Sequence, residues 1–268
     1  MNRTLSEAGA PLLAFRDVYL RYHTPEQEIT ALGGVSFEVR EGEFLVLLGP
    51  SGCGKSTILS LAAGLLSPSA GEVRWKAPEK TGIPRIGYMF QHDGLFPWLT
   101  VTDNALLGPR IRREPLPEKK RKVEKLLEQY GLGAFRKSFP RELSGGMRQR
   151  AALIRTLASD PGLLLLDEPF SALDYQTRIT VSGDIAGIIR REGKTAVMVT
   201  HDVAEAISLA DRILILSERP STIRRVLTVD IPERDVPARR ASPRFGELFE
   251  IIWKEMKSED GSQPLGGA

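Results

Sequence analysis

The 268-residue sequence has almost no cysteine and no long apolar run. Its one cysteine, Cys53, excludes an intrachain disulfide, which fits a reducing compartment. The N-terminal residues lack an apolar core of signal-peptide length, and no run approaches the roughly 18 apolar residues that a membrane span requires. We therefore expect a soluble protein whose role at any membrane comes through a partner.

The chain also lacks a strong excess of charge of either sign. It has 37 Lys and Arg against 34 Asp and Glu, a net charge of +3. Nucleic-acid-binding proteins usually show a clustered basic face. Here the basic stretches are short, at residues 110–113, 119–125 and 239–240. We interpret them as solvated faces, with contact to anionic lipid headgroups as the alternative, and we predict no nucleic-acid partner.

Strand-like and helix-like patterns alternate along the chain, and no internal repeat or interdomain linker interrupts them. The patterns predict strands at 14–21, 35–39, 44–48, 72–75, 85–89, 163–166, 195–200 and 212–216, and helices at 55–65, 118–130, 145–157 and 243–257. This alternation predicts an α/β fold. We expect one catalytic domain over residues 13–257, with a helical insert over about 100–159 and disordered tails at 1–12 and 258–268.

A glycine-rich loop follows the continuous apolar strand at 44–48 and opens the next predicted helix. It reads Gly49-Pro50-Ser51-Gly52-Cys53-Gly54-Lys55-Ser56-Thr57. The match to Gly-x-x-x-x-Gly-Lys-Ser/Thr stands in the strand–loop–helix context that this motif requires. Its glycines let backbone amides surround phosphate oxygens, and the helix N-terminus adds the positive end of its dipole. Lys55 should reach the β and γ phosphates, and Ser56 should ligate Mg²⁺.

Two further motifs lie downstream of this loop. The first, Leu143-Ser144-Gly145-Gly146-Met147, opens a predicted helix and so offers a second anion-binding N-terminus. The second is four leucines followed by Asp167-Glu168-Pro169. An isolated Asp-Glu pair is most often a solvated turn, but the preceding apolar strand and the following proline argue against that interpretation. No Asn-Lys-x-Asp motif occurs, which disfavours a GTP-binding switch.

In this order the motifs resemble the ATPase subunits of ATP-binding cassette (ABC) transporters, over about residues 13–257. The likeness rests on the loop at 49–57, Gln91, residues 143–147, residues 163–169, Ser171-Ala172-Leu173-Asp174 and His201. It implies a P-loop NTPase core with a RecA-like mixed sheet, an antiparallel β subdomain and a helical signature subdomain. Because the motif residues are all present, a catalytically dead binding module is disfavoured.

The resemblance also implies roles for single residues. Glu168 is expected to polarise the attacking water as a general base, and Asp167 to hold Mg²⁺ through water. Gln91 resembles the family's Mg²⁺ and γ-phosphate sensor, and His201 resembles the histidine that contacts the γ-phosphate. Tyr22 resembles the aromatic residue that stacks on adenine, the alternative being an ordinary strand-end aromatic.

The predicted ligands are ATP and Mg²⁺, and their residues fall into three sets. The ATP-binding residues are Tyr22, Gly49, Pro50, Ser51, Gly52, Cys53, Gly54, Lys55, Ser56, Thr57, Ser144, Gly145 and Gly146; the catalytic residues are Glu168, His201, Gln91 and Asp174; the metal ligands are Ser56, Gln91 and Asp167.

The resemblance further implies that the site is shared between two chains. In the family, the Ser144 element faces the γ-phosphate bound at the opposing subunit, and Asp174 lies in a loop that crosses the dimer seam. An identical partner would give two such sites by symmetry. We expect a single copy to bind ATP but to hydrolyse it poorly. We also expect nucleotide to protect the Cys53 thiol, the alternative being an inert core cysteine.

Residues 90–100 are similar to those of importer ATPases for nitrate, alkanesulfonates and taurine, which carry a Gln…Leu-x-Pro-Trp pattern here. Residues 218–223 continue the likeness but depart where relatives often read Pro-Gly-Arg-Ile. The hypothesis is that residues 96–99 line a groove that receives a cytoplasmic helix of the membrane subunit. The alternative is that Pro97 and Trp98 are simple packing residues.

We therefore expect the ATPase subunit of an importer for a small solute such as nitrate, sulfonate or taurine, peripheral to the cytoplasmic face of the inner membrane. Its expected partners are permease subunits, a second ATPase copy and, indirectly, an extracytoplasmic substrate-binding protein. About fifty residues follow Leu216, too few for the regulatory domain of sugar-importer ATPases. The alternatives are an ATPase of a lipid transporter or exporter, or a soluble ABC ATPase without a transport role. The sequence does not identify the solute.

Overall fold

The computed structural model of the protein describes residues 11–23, 25, 27–76 and 85–257. Residues 1–10 of the first predicted tail, which was 1–12, and all of the second, 258–268, lie outside the described residues. Leu12, which the sequence analysis assigned to the first tail, is buried, and its amide donates to the Val39 carbonyl at 2.9 Å. In this part of the chain, no helix is long and apolar enough to cross a bilayer.

The larger sheet has six strands, in the order β5-β6-β7-β3-β8-β9. They are β3 (Phe44–Leu48), β5 (Ile86–Met89), β6 (Leu163–Asp167), β7 (Thr195–Thr200), β8 (Arg212–Leu216) and β9 (Ile223–Thr228). All neighbours are parallel except β8 and β9. Every residue of β3 and β7 is buried, as a parallel sheet covered on both faces requires.

Alternate residues of β3 belong to two hydrophobic cores, one on each face of this sheet. Phe44, Val46 and Leu48 pack with the helices of the signature region and the C-terminal half of the chain. Leu45 and Leu47 pack with α1 (Lys55–Ala62) and with a second sheet. That sheet is antiparallel, in the order β2-β1-β4, and consists of β1 (Leu13–His23), β2 (Glu28–Val39) and β4 (Ala70–Trp75). The RecA-like mixed sheet and the antiparallel β subdomain predicted from the sequence are both present.

Three helices occupy the region of the predicted helical insert: α2 (Val101–Ile111), α3 (Leu116–Gln129) and α4 (Gly145–Ala158). Short 3₁₀ turns at Gly133–Phe135 and Pro140–Glu142 connect α3 to α4. The apolar stripe of α3 is buried as its period predicts, with Val123, Leu126 and Leu127 in the core. Gly131 follows the helix at a φ of +75°, the left-handed conformation that suits a glycine there.

The remaining helices are α5 (Tyr175–Arg191), α6 (Val203–Leu209), α7 (Val236–Ala241) and α8 (Pro243–Lys257). On α8, Leu248 and Ile252 are buried in the core. Trp253 is 46% exposed and stacks on Phe249.

Three of the differences from the sequence-based prediction have a clear structural reason. The predicted helix at 55–65 ends at Ala62, because Gly64 turns into the left-handed region at a φ of +69°. Strand β2 begins at Glu28 and not at residue 35, since it pairs with β1 along its whole length. Strand β9 was not predicted. It pairs with β8 alone and keeps polar, exposed residues, so it lacks a buried apolar run.

Candidate nucleotide-binding site

Three neighbouring parallel strands, β6, β7 and β3, end at the same edge of the larger sheet. The glycine-rich loop follows β3, Glu168 follows β6, and His201 follows β7. The fold therefore brings the loop together with Glu168 and His201, which lie more than 100 residues further along the sequence. In open α/β sheets, this is the edge at which ligands bind.

The loop at residues 49–57 turns sharply between β3 and α1. Gly52 and Gly54 have φ values of +81° and +107°, and Gly54 is the N-cap of α1. A side chain at position 54 would also approach Leu32, since an added Cβ would lie 3.2 Å from its Cδ2. Both glycines are therefore required by backbone conformation, which lets the loop present its amides towards a bound anion.

Lys55 is 5% exposed, and its ammonium lies inside the loop. Nζ donates to the carbonyl oxygens of Gly49 and Pro50, each at 2.8 Å, and lies 3.7 Å from Oε1 of Glu168. A buried charge needs such partners, because burial without them carries a large desolvation cost. The arrangement holds the lysine cation at the centre of the loop, between the loop backbone and the carboxylate that follows β6.

The predicted metal ligands Ser56 and Asp167 touch each other. Ser56 Oγ donates to Asp167 Oδ1 at 2.9 Å, and Tyr88 donates its hydroxyl to Asp167 Oδ2 at 3.1 Å. Burial and the charge of Asp167 raise the pKa of Tyr88, so this phenol stays protonated and remains a donor. Tyr88, which orients the Asp167 carboxylate, carries no motif that would have singled it out in the sequence.

Glu168 and His201 form a second pair at this edge. His201 Nδ1 lies 3.0 Å from Glu168 Oε2, within hydrogen-bonding distance. Glu168 itself has a φ of +42°, which is uncommon for a residue with a side chain, and its amide donates to the Val199 carbonyl at 3.1 Å. This local strain turns the Glu168 carboxylate away from that of Asp167 and towards Lys55 and His201.

A buried carboxylate lies beneath the His201 loop. Glu205 is 5% exposed and hydrogen-bonds Thr200 Oγ1, while Asp202 is the N-cap of α6 and accepts from the Glu205 amide at 2.9 Å. Burial is the main cause that raises the pKa of Glu205 to about 7, and the neighbouring charges of Asp202 and Glu168 add to it. Glu205 is another residue that the sequence analysis did not single out.

Gln91 and Tyr22 lie at the margins of the loop's surroundings. Gln91 is exposed and comes two residues after β5, the strand next to β6. Tyr22 is 40% exposed near the end of β1, and its hydroxyl lies 3.2 Å from Thr57 Oγ1. The fold therefore brings Tyr22 to the end of the loop, with part of its ring accessible to solvent.

The Ser144 element and Asp174 begin two adjacent helices. Ser144 Oγ accepts from the Met147 amide at 3.3 Å and caps α4, while Asp174 Oδ1 accepts from the Thr177 amide at 3.1 Å and caps α5. Both capping residues are exposed. Within the described residues, no hydrogen bond or ion pair joins residues 144–146 to the loop at 49–57. These two helix ends are therefore available to a second molecule.

An exposed apolar cluster lies beyond the end of β5. It consists of three aromatic residues after β5 and the isoleucine that ends α2, namely Phe90, Phe96, Trp98 and Ile111. Their exposed fractions are 38% to 74%, and the Phe96 and Trp98 rings lie 5.2 Å apart. A cavity of about 380 Å³ lies beside Phe90, Phe96 and Ile111. Large apolar side chains exposed together indicate an interaction surface. Residues 96–99 were predicted to line an interaction groove; Phe90 belongs to the run that resembles importer ATPases but was given no such role, and Ile111 was not singled out.

The turn that carries these aromatics is held in place by buried polar groups. Asn104 is fully buried on α2; it accepts from the Phe96 amide at 2.8 Å and donates to the carbonyls of Phe96, Leu99 and Thr100 at 3.1 Å. From α4, Arg148 pairs with the Asp93 carboxylate at 3.1 Å. The exposed aromatics thus stand on a turn that is tied to the helices on either side.

The Cys53 thiol is part of the loop but is turned inward. It is 2% exposed, and a Cβ added at Gly49 would lie 3.0 Å from its Sγ. Burial raises its pKa, and the nearby Lys55 charge opposes that shift only in part. The side chain packs within the core next to the smaller sheet, so this cysteine is a packing residue as well as a loop residue.

Comparisons with known proteins agree with this geometry. A family model described as "ABC transporter" matches residues 32–171. The chain is 44% identical over 248 residues to the uncharacterized ABC transporter ATP-binding protein YtlC of Bacillus subtilis, with 90% of this chain and 94% of that protein covered. It is 41% identical over 233 residues to the aliphatic sulfonates import ATP-binding protein SsuB of Bacillus licheniformis, covering 86% and 89%.

A solved structure is similar as well. The dimeric post-hydrolysis state of the ATP-binding cassette MJ0796 bound to ADP and Pi matches with a TM-score of 0.68 and 31% identity, covering 82% of this chain and 99% of that one. The loop, the two strand-end carboxylates and the capped helices described above therefore occur on a fold shared with an experimentally determined nucleotide-bound cassette.

Proposed function

The chain belongs to the ATP-binding cassette family of transport ATPases, and on that premise we propose that it drives an importer for a small solute such as nitrate, a sulfonate or taurine through a separate permease. Membership of the family makes it an ATP-hydrolysing cassette. The import ATP-binding name of a relative supports action at a membrane with a permease. A relative named as an aliphatic sulfonates import protein supports the importer type and this class of solute.

One observation carries the proposed catalytic roles: Lys55, Glu168 and His201 are in contact at one sheet edge. Lys55 and the loop amides bind the β and γ phosphates. Glu168 accepts a proton from the attacking water. Its carboxylate is only partly exposed and is held in position by Lys55 and His201, as a general base must be. His201 holds the Glu168 carboxylate in place and contacts the γ-phosphate.

The residues present fit Mg²⁺. Ser56 Oγ and Asp167 Oδ1 lie 2.9 Å apart, so a hydroxyl oxygen and a carboxylate oxygen are already close together, and oxygen ligands are those that Mg²⁺ prefers. Gln91 is the third proposed ligand, on an exposed turn after β5. A Mg²⁺ ion held by these residues would neutralise negative charge on the phosphates. Tyr88 fixes the second oxygen of Asp167.

The proposed active unit contains two copies of the chain. Ser144, Gly145 and Gly146 then close over the phosphates bound at the loop of the opposite copy, and Asp174 lies at the seam. The dimeric arrangement of the similar MJ0796 cassette supports this proposal. So does the exposure of both capped helix ends described above. Tyr22, next to Thr57, is the proposed adenine-stacking residue.

The exposed apolar cluster is the proposed contact with the permease. Phe90, Phe96 and Trp98 lie on the turn that directly follows β5, Gln91 lies within that turn, and Ile111 at the end of α2 adds to the apolar surface. A movement of Gln91 would displace this turn, and with it a permease helix bound there. On this proposal the contact with the permease and a contact with the nucleotide belong to one short segment, which is how hydrolysis would be coupled to transport.

The experiment that tests the proposed function is an uptake measurement in cells that lack the chain. Cells complemented with the wild-type protein should take up nitrate, taurine or an alkanesulfonate, and cells complemented with Glu168→Gln should not. Uptake of all three solutes that is unchanged by deletion contradicts the importer proposal for this solute class. Altered lipid distribution or drug export in the same strain would instead favour the exporter alternative.

Two further measurements test the parts of the proposal. Trp98→Ala should weaken co-purification with the permease and leave ATP binding intact, while Trp253→Ala, which replaces an exposed tryptophan on α8, serves as the control.

Specific ATPase activity should fall as the wild-type protein is diluted below the dimer's dissociation constant. Activity that is independent of concentration across that range contradicts the two-copy site.

A further inference from the structure

Arg178, in the first turn of α5, touches two loops at once. Its Nη2 donates to the Leu173 carbonyl at 2.9 Å, and its Nη1 lies 3.6 Å from Asp202 Oδ2. Leu173 immediately precedes Asp174, and Asp202 immediately follows His201. One guanidinium therefore connects the segment at the proposed dimer seam to the segment that carries the histidine of the site.

The Asp202 end of this connection is rigid. Besides the ion pair with Arg178, the Asp202 carboxylate caps α6 through the Glu205 amide at 2.9 Å, and the Asp202 amide donates to Thr200 Oγ1 at 3.1 Å. Asp202 thus has its backbone and both carboxylate oxygens engaged. A displacement of Asp202 would move the adjacent His201, whose Nδ1 contacts Glu168.

Leu173, at the other end of the connection through Arg178, is also held in a fixed position by hydrogen bonds. The chain from Glu168 to Leu173 forms a tight turn in which Ser171 donates its amide and its hydroxyl to the Glu168 carbonyl, at 3.2 and 3.0 Å, and Leu173 donates its amide to the Phe170 carbonyl at 3.1 Å. Leu173 is 9% exposed. A movement imposed on Asp174 from outside would therefore reach the Leu173 carbonyl, which is the atom that Arg178 binds.

The Arg178 side chain also faces the reacting groups. It borders a cavity of about 10 Å³ together with Glu168, His201, Asp202 and Glu205. The cation thus stands among three carboxylates, and its buried Nε has no hydrogen-bond partner within the described residues. A planar guanidinium can bind two targets in fixed directions, whereas a lysine ammonium can only replace it at one of them.

We propose that Arg178 is a positioning residue that couples the Asp174 segment at the dimer seam to the His201–Glu168 pair. The proposal rests on the two-copy arrangement proposed above. When the second copy contacts Asp174, Arg178 transmits that contact to Asp202 and fixes His201 against Glu168. Arg178 is not one of the proposed nucleotide-binding residues or the proposed general base, so its removal should alter turnover and spare nucleotide binding.

The test uses Arg178→Ala, Arg178→Lys, Asp202→Asn and the double variant Arg178→Ala/Asp202→Asn. Asparagine at 202 keeps the cap of α6 and removes only the charge that pairs with Arg178. We expect kcat for ATP hydrolysis to fall by about tenfold in Arg178→Ala, with KM for ATP changed by less than about twofold. Arg178→Lys should recover part of the loss, and the double variant should be no slower than the slower single variant.

Arg190→Ala is the matched control. Arg190 lies on the same helix, is also half-buried and also binds a backbone carbonyl, that of Leu209 at 2.6 Å, but it contacts no proposed site residue. The Arg190→Ala substitution should lower the free energy of unfolding about as much as Arg178→Ala does, while kcat stays at the wild-type value. If Arg178→Ala does not fold, Asp202→Asn and Arg178→Lys carry the comparison.

Two results would overturn the proposal. One is a wild-type kcat in Arg178→Ala or, where only the other variants fold, in both Arg178→Lys and Asp202→Asn. The other is a double variant whose loss is the product of the two single losses, which indicates independent effects. Failure of the two-copy arrangement is separately visible, because the wild-type ATPase would then be independent of protein concentration.

Discussion

Lys55 Nζ and Glu168 Oε1 lie 3.7 Å apart at the edge of the larger sheet, although 113 positions separate the two residues in the sequence. The lysine is 5% exposed and the glutamate 20%, so their charges interact with little screening by solvent. The ion pair joins the loop that binds phosphate to the carboxylate that is the proposed general base. It also restricts where each side chain can point.

Glu168→Gln should slow ATP hydrolysis by roughly 10²–10⁴-fold, because the amide cannot accept the proton from water. ATP binding should persist, since Lys55 keeps its contacts with the carbonyls of Gly49 and Pro50. Phosphate release and equilibrium nucleotide binding measure the two effects. Glu118→Gln, on an exposed position of α3, is the control and should match the wild type. Turnover within twofold of wild type in Glu168→Gln would contradict the assignment.

Gly146→Ala should destabilise the protein by about 1–3 kcal/mol, as overpacking of a filled space does. A Cβ at position 146 would lie 2.6 Å from Cγ2 of Val181, a β-branched side chain with little freedom to move away. Gly246→Ala in α8 is the matched control, since nothing lies within 4 Å of its added Cβ. The control should gain up to about 1 kcal/mol from helix propensity. Denaturant unfolding measures both, and equal shifts would refute the packing argument.

The local motifs of the site could be predicted from the sequence, because each is a short run whose chemistry is fixed by neighbouring residues. The loop at 49–57 and the Asp167-Glu168 pair follow buried strands, and both strands form as predicted. The mixed sheet was predictable for the same reason, since its central strands are continuous apolar runs.

The contacts between distant residues could not be predicted from those runs. Tyr88 donates to Asp167, which is 79 positions away in the sequence. Asn104 makes four hydrogen bonds to the turn after β5, and no local sequence pattern predicts them. Strand β9 escaped prediction because Arg224 and Arg225 interrupt its apolar residues, and an edge strand needs only one covered face. Such features depend on the register of the sheet and on which helices lie above it.

Glu205→Gln should make stability less dependent on pH. Burial raises the pKa of Glu205 from its ordinary value of 4.5 to about 7 in the folded protein. Between these values the folded state holds a proton that the unfolded state has lost, so this group's contribution to stability falls as pH rises from about 4.5 to 7 and is constant above that. Glutamine retains a hydrogen-bonding partner for Thr200 and does not ionise.

The difference in the free energy of unfolding between Glu205→Gln and the wild type should therefore shift in favour of the variant by roughly 1–3 kcal/mol between pH 5 and pH 8. Thermal or denaturant unfolding at four pH values measures it. The groups that face Glu205 are Thr200, Asp202, Glu168 and Arg178, and they are unchanged in the variant. A constant difference across this range would show that Glu205 ionises as it does in the unfolded chain.

Cys53 should react slowly with a thiol alkylator in the folded protein, and more slowly still with saturating Mg-ATP. The thiol is 2% exposed and burial raises its pKa, so both access and the thiolate fraction are reduced. Because Cys53 is the chain's one cysteine, the mass increment measured by mass spectrometry reports this position alone.

The Glu168→Gln variant keeps ATP intact during the measurement, and the denatured chain gives the unprotected rate. Equal rates with and without ATP would mean that nucleotide adds no protection to a thiol that packing already covers. A native rate equal to the denatured rate would contradict the buried position itself.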